Sequence, residues 1–271
     1  MPPVQPAARP SESRDQASDT GAITSLGVLA EQRGDVDEAM RLYAQASRAG
    51  DTKAMVFLAH CYKAKGRPDQ MIQWYETAAA ANNSDAMYNL GNHFKADGDV
   101  ARSIHWYKKA SAAGDTDAPL NVAAAYFQVG DADQAMEWYV TANKVGNPDA
   151  APALQLLRGA LAGNSDDMLA LGGICHQMQN RDQAIRWFRA SADRGNAEAM
   201  HDLGVVFDES GDRRTALDWY TRATRANYYD SIHAILRILG SEESVLDWLG
   251  QEIDMRNPVA SRFLRELGGE S

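Results

Sequence analysis

Cysteine is scarce in this chain. Cys61 and Cys175 are the only two cysteines among 271 residues, and two residues do not make a disulfide framework. The repeat pattern described below separates them by several helices. Packed helices lie about 8–10 Å apart, whereas bridged Cα atoms lie within about 7 Å of each other. We therefore expect two unpaired thiols that behave as small buried apolar groups, in a reducing compartment.

Basic residues are outnumbered by acidic ones. The chain has 27 lysines and arginines against 37 aspartates and glutamates, which gives a formal net charge of −10. Non-specific binding to nucleic acid or to anionic membranes requires a basic face. We therefore expect neither a nucleic-acid partner nor a membrane partner.

Long apolar runs are missing too. No stretch reaches the roughly 18 consecutive apolar residues of a membrane span. Residues 1–20 contain Pro2, Pro3, Pro6 and Pro10, followed by mostly polar residues and by no signal-peptide core. We expect these residues to form a disordered, proline-rich tail, either a plain leader or a docking peptide, and the protein to be cytoplasmic.

The common motifs of catalysis are absent. The sequence has no glycine-rich phosphate loop, nucleophile elbow or zinc-protease motif. No two histidines have His-x-x-x-His spacing, and neither cysteine has a partner at metal-ligand spacing. The neighbours His201 and Asp202 do not form a dyad, because consecutive helical side chains point about 100° apart. The sequence predicts no catalytic residue, no metal, no cofactor and a protein that is not an enzyme.

What the chain does contain is an internal repeat with a period of 32 residues. The six repeats begin at Ala22, Ala54, Ala86, Ala118, Asp167 and Ala199. Five positions after each start the residue is glycine or alanine. Near the end of each repeat comes a pair of large residues: Leu42-Tyr43, Trp74-Tyr75, Trp106-Tyr107, Trp138-Tyr139, Trp187-Phe188 and Trp219-Tyr220.

Each repeat predicts two helices. Positions 0, 4, 5 and 8 share one helical face, which indicates an amphipathic helix A. A glycine such as Gly98 ends helix A, because glycine adopts the left-handed conformation without strain, and the following Asp99 can cap helix B. The small residue at position 5 lets the neighbouring helix approach closely. In the large pair of helix B, one ring can fill its own repeat while the other packs against the next.

The pattern A-x-x-x-L-G-x-x-(Y/F), then Gly, then A-x-x-W-Y-x-x-A-x-x-x-G resembles the Sel-one-like repeats of the tetratricopeptide-like superfamily. It recurs six times in register over about residues 22–230. The loop between the two helices is shorter than the family usually has, as in residues 95–100. The resemblance implies an all-α, right-handed solenoid of antiparallel helix pairs, which binds partners on its concave side and assembles complexes.

Two segments depart from the repeat. Residues 150–166 begin like a repeat but lack helix B, which predicts one extra helix, acting as a rigid kink or as a hinge. It would separate four repeats in residues 21–149 from two repeats in residues 167–230. Residues 231–271 contain three apolar stripes, which indicate capping helices that cover the last repeat.

If helix A lines the concave side, as the resemblance implies, positions 2, 6, 9 and 10 face the groove. We expect Lys63 and Lys95, one repeat apart, to hold an acidic residue or a terminal carboxylate of an extended peptide. Asn92 and Asn121 match part of the carboxylate clamp of tetratricopeptide domains, but Tyr88 replaces its first lysine, so no clamp is predicted. Any of these side chains can equally be ordinary solvated surface. The candidate partner-binding residues are Val56, His60, Lys63, Tyr88, Asn92, Lys95, Leu120, Asn121, Phe127, Gln128, His176 and His201.

The function that the sequence favours is a non-enzymatic adaptor or scaffold that binds a protein or peptide. Two alternatives stay open. One is a self-assembling structural module, a homo-oligomer, although capping helices oppose head-to-tail growth. The other is an accessory or regulatory subunit of an enzyme complex.

Overall fold

The computed structural model describes residues 10–267, with side chains from residue 19 onward. This part of the chain is all-helical and has no strand, which confirms the predicted fold class. Its sixteen helices, α1 to α16 in chain order, are Pro10–Gln32, Val36–Arg48, Thr52–Ala64, Pro68–Ala80, Ser84–Ala96, Val100–Ala112, Ala118–Gln128, Ala132–Lys144, Ala150–Leu161, Ser165–Gln177, Arg181–Ala192, Ala197–Glu209, Arg213–Arg225, Ser231–Leu239, Glu242–Asp254 and Pro258–Leu267.

Each 32-residue repeat is a pair of helices, A and B, joined by a short turn. The third repeat, α5 and α6, shows how the turn is made. Gly98 has a φ of 76°, in the left-handed region. The backbone N–H of Asp99 donates to the carbonyl of Phe94, 2.8 Å away. Asp99 then accepts a hydrogen bond from the backbone N–H of Arg102 at 2.9 Å. The predicted glycine stop and aspartate cap are therefore confirmed.

The second residue of each large pair fills the core of its own repeat. The first residue is less deeply placed in the second and third repeats, where Trp74 and Trp106 are half-buried and pack against a shared apolar cluster. The second residues that are at most 2% exposed are Tyr43, Tyr75, Tyr107, Phe188 and Tyr220.

The small residue at position 5 makes room for that buried ring. A Cβ atom placed on Gly91 would lie 2.5 Å from Cδ1 of Tyr107, far inside van der Waals contact. A Cβ atom placed on Gly172 would lie 2.4 Å from Cδ1 of Phe188. The close approach predicted at position 5 is thus an approach of the helix A backbone to one aromatic ring of helix B.

The chain divides into two compact units. Unit 1 contains the residues up to Tyr126 together with Glu137–Pro148. Unit 2 contains Phe127–Met136 together with the residues from Asp149 onward. The division passes through α7 and α8, whereas the sequence placed a boundary after residue 149.

The segments that depart from the repeat are helical. α9 spans Ala150–Leu161, within the predicted extra segment, and Gly163 follows it with a φ of 98°. Its role as a kink or a hinge stays a prediction. Helices α14, α15 and α16 occupy residues 231–267 and share an apolar cluster with α13 that includes Ile235 and Trp248.

The predicted tail, residues 1–20, needs a correction. Residues 1–9 lie outside the described residues. Helix α1 begins at Pro10, so the second half of that segment belongs to a helix. Proline is favoured at the first position of a helix, because the N–H that it lacks has no partner there.

Candidate binding site on the A helices of unit 1

In unit 1, the A helices α3 and α5 and the start of α7 line a surface cavity of about 440 Å³. Val56 and Tyr88, each at position 2 of its repeat, lie in its wall with His60 at position 6. Phe57 and Asn89, both at position 3, complete this side. The structure therefore brings three of the candidate residues to one concave surface.

The apolar part of the wall is built from rings that are held in place. Val56 is buried, and Tyr88 is half-buried. The Tyr88 ring lies 5.5 Å from the Tyr107 ring, centroid to centroid. The side-chain amide of Asn121 donates to the Tyr88 hydroxyl at 3.2 Å. These contacts fix the orientation of the Tyr88 ring.

His60 contributes a neutral ring to the cavity. Its imidazole meets the Tyr75 ring edge-on, with 5.8 Å between centroids. Partial burial lowers the pKa of His60 below 6.5, and the positive charge of Lys63 lowers it further, while a hydrogen bond with Asn89 acts in the opposite direction. Burial and Lys63 therefore favour the neutral form of the imidazole.

Acidic groups stand at the N-terminal ends of the A helices. Asp85, in the first turn of α5, lines the cavity together with Asp115 and Asp117, which precede α7. Lys53, at the start of α3, is the one basic residue in this lining. With His60 neutral, the lining carries three negative charges and one positive charge.

Two of the three carboxylates also have structural roles. Asp115 accepts a hydrogen bond from the backbone N–H of Ala118 at 2.7 Å and so caps α7. Asp117 accepts one from the side-chain amide of Asn147 at 3.1 Å. Asp85 is exposed, and its carboxylate takes part in no hydrogen bond or ion pair among the described residues.

The groove positions predicted from the sequence leave out positions −1 and 3. Lys53, Asp85 and Asp117 stand at position −1, and Phe57 and Asn89 at position 3. A spacing of three or four residues places them on the same helical face as positions 2 and 6. These residues could have been predicted to face the groove from that spacing. However, acidic residues at the start of a helix are also explained by the helix dipole alone.

The remaining candidates in unit 1 extend the same face. Lys63 and Lys95, at position 9, are exposed and form no ion pair with any described residue. Asn92 is exposed, and its side-chain oxygen accepts a hydrogen bond from the Tyr107 hydroxyl at 2.6 Å. Leu120 is half-buried near the start of α7.

Two candidates at the end of α7 lie in unit 2. Phe127 is 7% exposed, and its ring stacks on Trp187 at 6.3 Å within unit 2. The prediction that it faces the groove is wrong, because the ring is part of the core. Gln128 is also in unit 2, where its backbone carbonyl accepts a hydrogen bond from the side-chain amide of Asn180 at 2.7 Å.

The two candidate histidines of unit 2 are already engaged. His176 lines a cavity of about 240 Å³, and its Nε2 lies 3.5 Å from a carboxylate oxygen of Glu209. His201 is hydrogen-bonded to the Ser231 hydroxyl at 2.9 Å. Its ring lies 5.2 Å from that of Tyr220, and burial lowers the pKa of His201. Neither histidine lines the cavity of unit 1.

The thiols have no nucleophilic character. Burial raises the pKa of Cys61 to about 11 and that of Cys175 to about 11, so both stay protonated at neutral pH. Among residues 10–267, no group of three or more His, Cys, Asp and Glu side chains is arranged to hold a metal ion. In the same part of the chain, no helix has both the length and the apolar character needed to cross a bilayer.

The sequence matches two related family models along most of its length. The tetratricopeptide repeat model matches residues 22–53 and 54–85. The Sel1 repeat model matches four segments, residues 84–115, 124–147, 161–196 and 197–228. The chain therefore belongs to the tetratricopeptide and Sel1 class of helical-repeat proteins, as predicted. Repeats of this class generally serve as scaffolds for protein–protein interactions.

Solved structures of repeat proteins align with this chain at low sequence identity. The protective antigen c5321 of uropathogenic Escherichia coli is 21% identical, with a TM-score of 0.47 over 96% of this chain and 67% of that one. A Sel1 repeat protein from Oxalobacter formigenes is also 21% identical, with a TM-score of 0.41 over 76% and 88%. A tetratricopeptide repeat protein from Parabacteroides merdae is 13% identical, with a TM-score of 0.47 over 82% and 98%. No curated protein sequence matches this chain.

Proposed function

We propose that this chain is a non-enzymatic adaptor that binds an extended segment of a partner protein along the A helices of unit 1. The observation that carries the proposal is the cavity of about 440 Å³ between α3, α5 and the start of α7. Ligand sites are typically concave, largely apolar and lined with a few oriented polar groups. Val56, Phe57 and Tyr88 supply the apolar wall, and Asn89 supplies an amide.

Two lysines without ion-pair partners among the described residues offer positive charge that can bind an acidic group of the partner. Lys63 and Lys95 occupy position 9 of successive repeats, and both are exposed and have no ion-pair partner among the described residues. An acidic side chain or a terminal carboxylate of the bound segment would pair with them. Asn92, on the same face, can hydrogen-bond to the backbone of an extended peptide.

The chemistry of the chain supports binding over catalysis. The cavity is lined by one imidazole, one lysine and three carboxylates, and two of the carboxylates accept structural hydrogen bonds. The protonated thiols Cys61 and Cys175 are not nucleophiles. Both are free and buried, which supports a reducing, cytoplasmic location.

The proposal is tested by selecting peptides from a random 12-residue library displayed on phage, with the purified full chain as target. Selected peptides are then titrated by fluorescence anisotropy. We expect the double variant Lys63→Glu, Lys95→Glu to weaken binding about tenfold or more, because two favourable charges become repulsive.

The matched control carries the same change of charge on B helices. Lys109 in α6 and Lys144 in α8 are exposed, and the variant Lys109→Glu, Lys144→Glu should bind as the wild type does. Circular dichroism establishes that each variant is folded. A library that yields no binder, or binders that respond equally to both double variants, would refute the proposed site.

A further inference from the structure

We propose that the cavity of unit 1 receives an arginine side chain of the bound segment, so that the partner carries a basic residue at one end of its contact and an acidic group at the other. This inference rests on the proposed function and names the chemistry of the ligand. It comes from the distribution of charge along the A helices and from the rings in the cavity wall.

The charge of the face changes sign along α5, from Asp85 in its first turn to Lys95 in its last turn. At the N-terminal ends, the cavity is lined by Asp85, Asp115 and Asp117 against Lys53 alone. At the C-terminal ends stand the exposed lysines of position 9, such as Lys95 in α5. A segment with a single sign of charge would satisfy one end and be repelled by the other. Charge complementarity therefore requires a segment with both signs.

The rings of the wall favour a guanidinium over other groups at the acidic end. Tyr88 is held by Asn121 and by its contact with Tyr107, so its ring is preorganised. A guanidinium is planar and stacks on aromatic faces while it hydrogen-bonds to carboxylates. The lowered pKa of His60 favours its neutral form, which does not repel a cation. Val56 supplies an apolar surface for the aliphatic part of an arginine side chain.

Asp85 is the carboxylate with most freedom to bind a ligand. Asp115 caps α7, and Asp117 accepts a hydrogen bond from Asn147. Asp85 is exposed in the first turn of α5, and no described side chain is hydrogen-bonded to its carboxylate oxygens. Asp85 is therefore the carboxylate that accepts two parallel hydrogen bonds from the arginine guanidinium.

The length of α5 sets the spacing of the two charges in the partner. Asp85 and Lys95 are ten residues apart in one helix, which is about 15 Å along the axis. An extended chain covers about 3.3 Å per residue. The arginine and the acidic group of the bound segment should thus be separated by about four or five residues.

The experiment uses the best peptide from the library selection as the probe. Its arginine is replaced by citrulline, which keeps the shape and removes the charge. On the wild-type chain we expect the replacement to weaken binding about tenfold. On the Asp85→Asn variant, the arginine and citrulline peptides should bind within about twofold of each other, because the partner of the charge is gone.

Two further variants give effects of opposite sign. Lys53→Gln removes the one positive charge of the cavity lining and should strengthen binding of the arginine peptide about twofold to fivefold. Tyr88→Leu removes the aromatic face but keeps an apolar side chain, and should weaken it about threefold or more. Asp69→Asn, at an exposed aspartate in the first turn of the B helix α4, is the control and should leave binding unchanged.

The outcomes separate this inference from the proposed function. Selected peptides that depend on Lys63 and Lys95, but that carry no arginine or tolerate citrulline equally well, overturn the inference and leave the proposed function intact. Peptides with lysine preferred over arginine also overturn it. A library without any binder overturns both.

Discussion

At the scale of single residues, a glycine and an aromatic ring sixteen positions later pack as a pair. Gly27 and Tyr43, Gly91 and Tyr107, Gly172 and Phe188, and Gly204 and Tyr220 are the pairs in which an added Cβ would lie within 2.6 Å of the ring. The ring is nearly or fully buried in each pair. In these four repeats, the missing Cβ is thus what allows helix B to place this aromatic ring directly on the backbone of helix A.

Adding that Cβ should destabilise the chain. We expect Gly91→Ala to lower the free energy of unfolding by about 1–2 kcal/mol, because the cost of displacing the Tyr107 ring exceeds the better helix propensity of alanine. Gly173→Ala is the matched control, since a Cβ there meets no atom within 4 Å. It should raise the free energy of unfolding by about 0.5–1 kcal/mol. Urea unfolding followed by circular dichroism measures both, and equal effects would contradict the packing argument.

A second residue-scale feature is the carboxyl group of Asp202 in α12. Burial raises the pKa of Asp202 to about 6, the negative charge of Glu198 adds to this, and His176 opposes it. The folded state therefore keeps a proton on Asp202 at pH values where the unfolded chain has lost it. Above pH 6 the folded state contains a partly buried carboxylate, which costs stability.

Removing this charge should stabilise the protein in a pH-dependent way. We expect Asp202→Asn to raise the free energy of unfolding by about 2 kcal/mol at pH 7, and the gain to shrink to nothing as the pH falls below about 3, where Asp202 is protonated in both states. Asp182→Asn, at an exposed aspartate in α11, should show no such trend. A gain at Asp202 that does not change with pH would point to packing instead of charge.

At the scale of helices, side-chain caps mark where most of the helices begin. Asp99 caps α6 through a 2.9 Å hydrogen bond to the backbone N–H of Arg102. Arg67 holds the corresponding place before α4 and makes no side-chain cap. The A helices are capped as well, since Asn83 accepts a hydrogen bond from the backbone N–H of Ala86 at 2.8 Å.

A new cap should stabilise the protein at α4, and loss of the existing cap should destabilise it at α6. We expect Arg67→Asp to raise the free energy of unfolding by about 1 kcal/mol, because an aspartate at the N-cap satisfies a free backbone N–H of α4. Asp99→Ala should lower it by about 1 kcal/mol. The midpoint of thermal unfolding, measured for both variants and the wild type, should move in opposite directions. If both move in the same direction, the caps do not govern these helix ends.

The helices are predictable from the sequence because their signals are local. The glycine stop at Gly98 and the cap at Asp99 are neighbours in the chain. The spacing of three and four residues that defines a helical face needs no knowledge of the partner helix. For the same reason the repeat pattern alone predicts that Val56 and Tyr88 share one surface, and both line the cavity of unit 1.

At the scale of the whole molecule, the sequence predicted two blocks of repeats, but not that the division runs through α7 and α8. It depends on contacts between residues far apart in sequence, such as the hydrogen bond from Asn180 to the carbonyl of Gln128. A repeat pattern cannot indicate such contacts, because it contains only the features that the repeats have in common. This is why Phe127, at position 9 like Lys63 and Lys95, was predicted to face the groove although its ring packs against Trp187.

The acidic part of the cavity wall was missed for a different reason. Asp85 and Asp117 stand where acidic residues commonly favour a helix N-terminus, and that role explains them without a ligand. Only the cavity shows that they share a wall with Tyr88 and His60. The sequence thus predicted the basic end of the face and not the acidic end.

The measurement that tests the central claim most directly is site-specific photo-crosslinking with a selected peptide. A photoreactive amino acid is placed at His60, in the cavity of unit 1, and in a separate variant at His105, an exposed histidine on the B helix α6. We predict a covalent product with the peptide at position 60, competed away by unlabelled peptide, and none at position 105. A product at position 105 alone would contradict binding on the A helices.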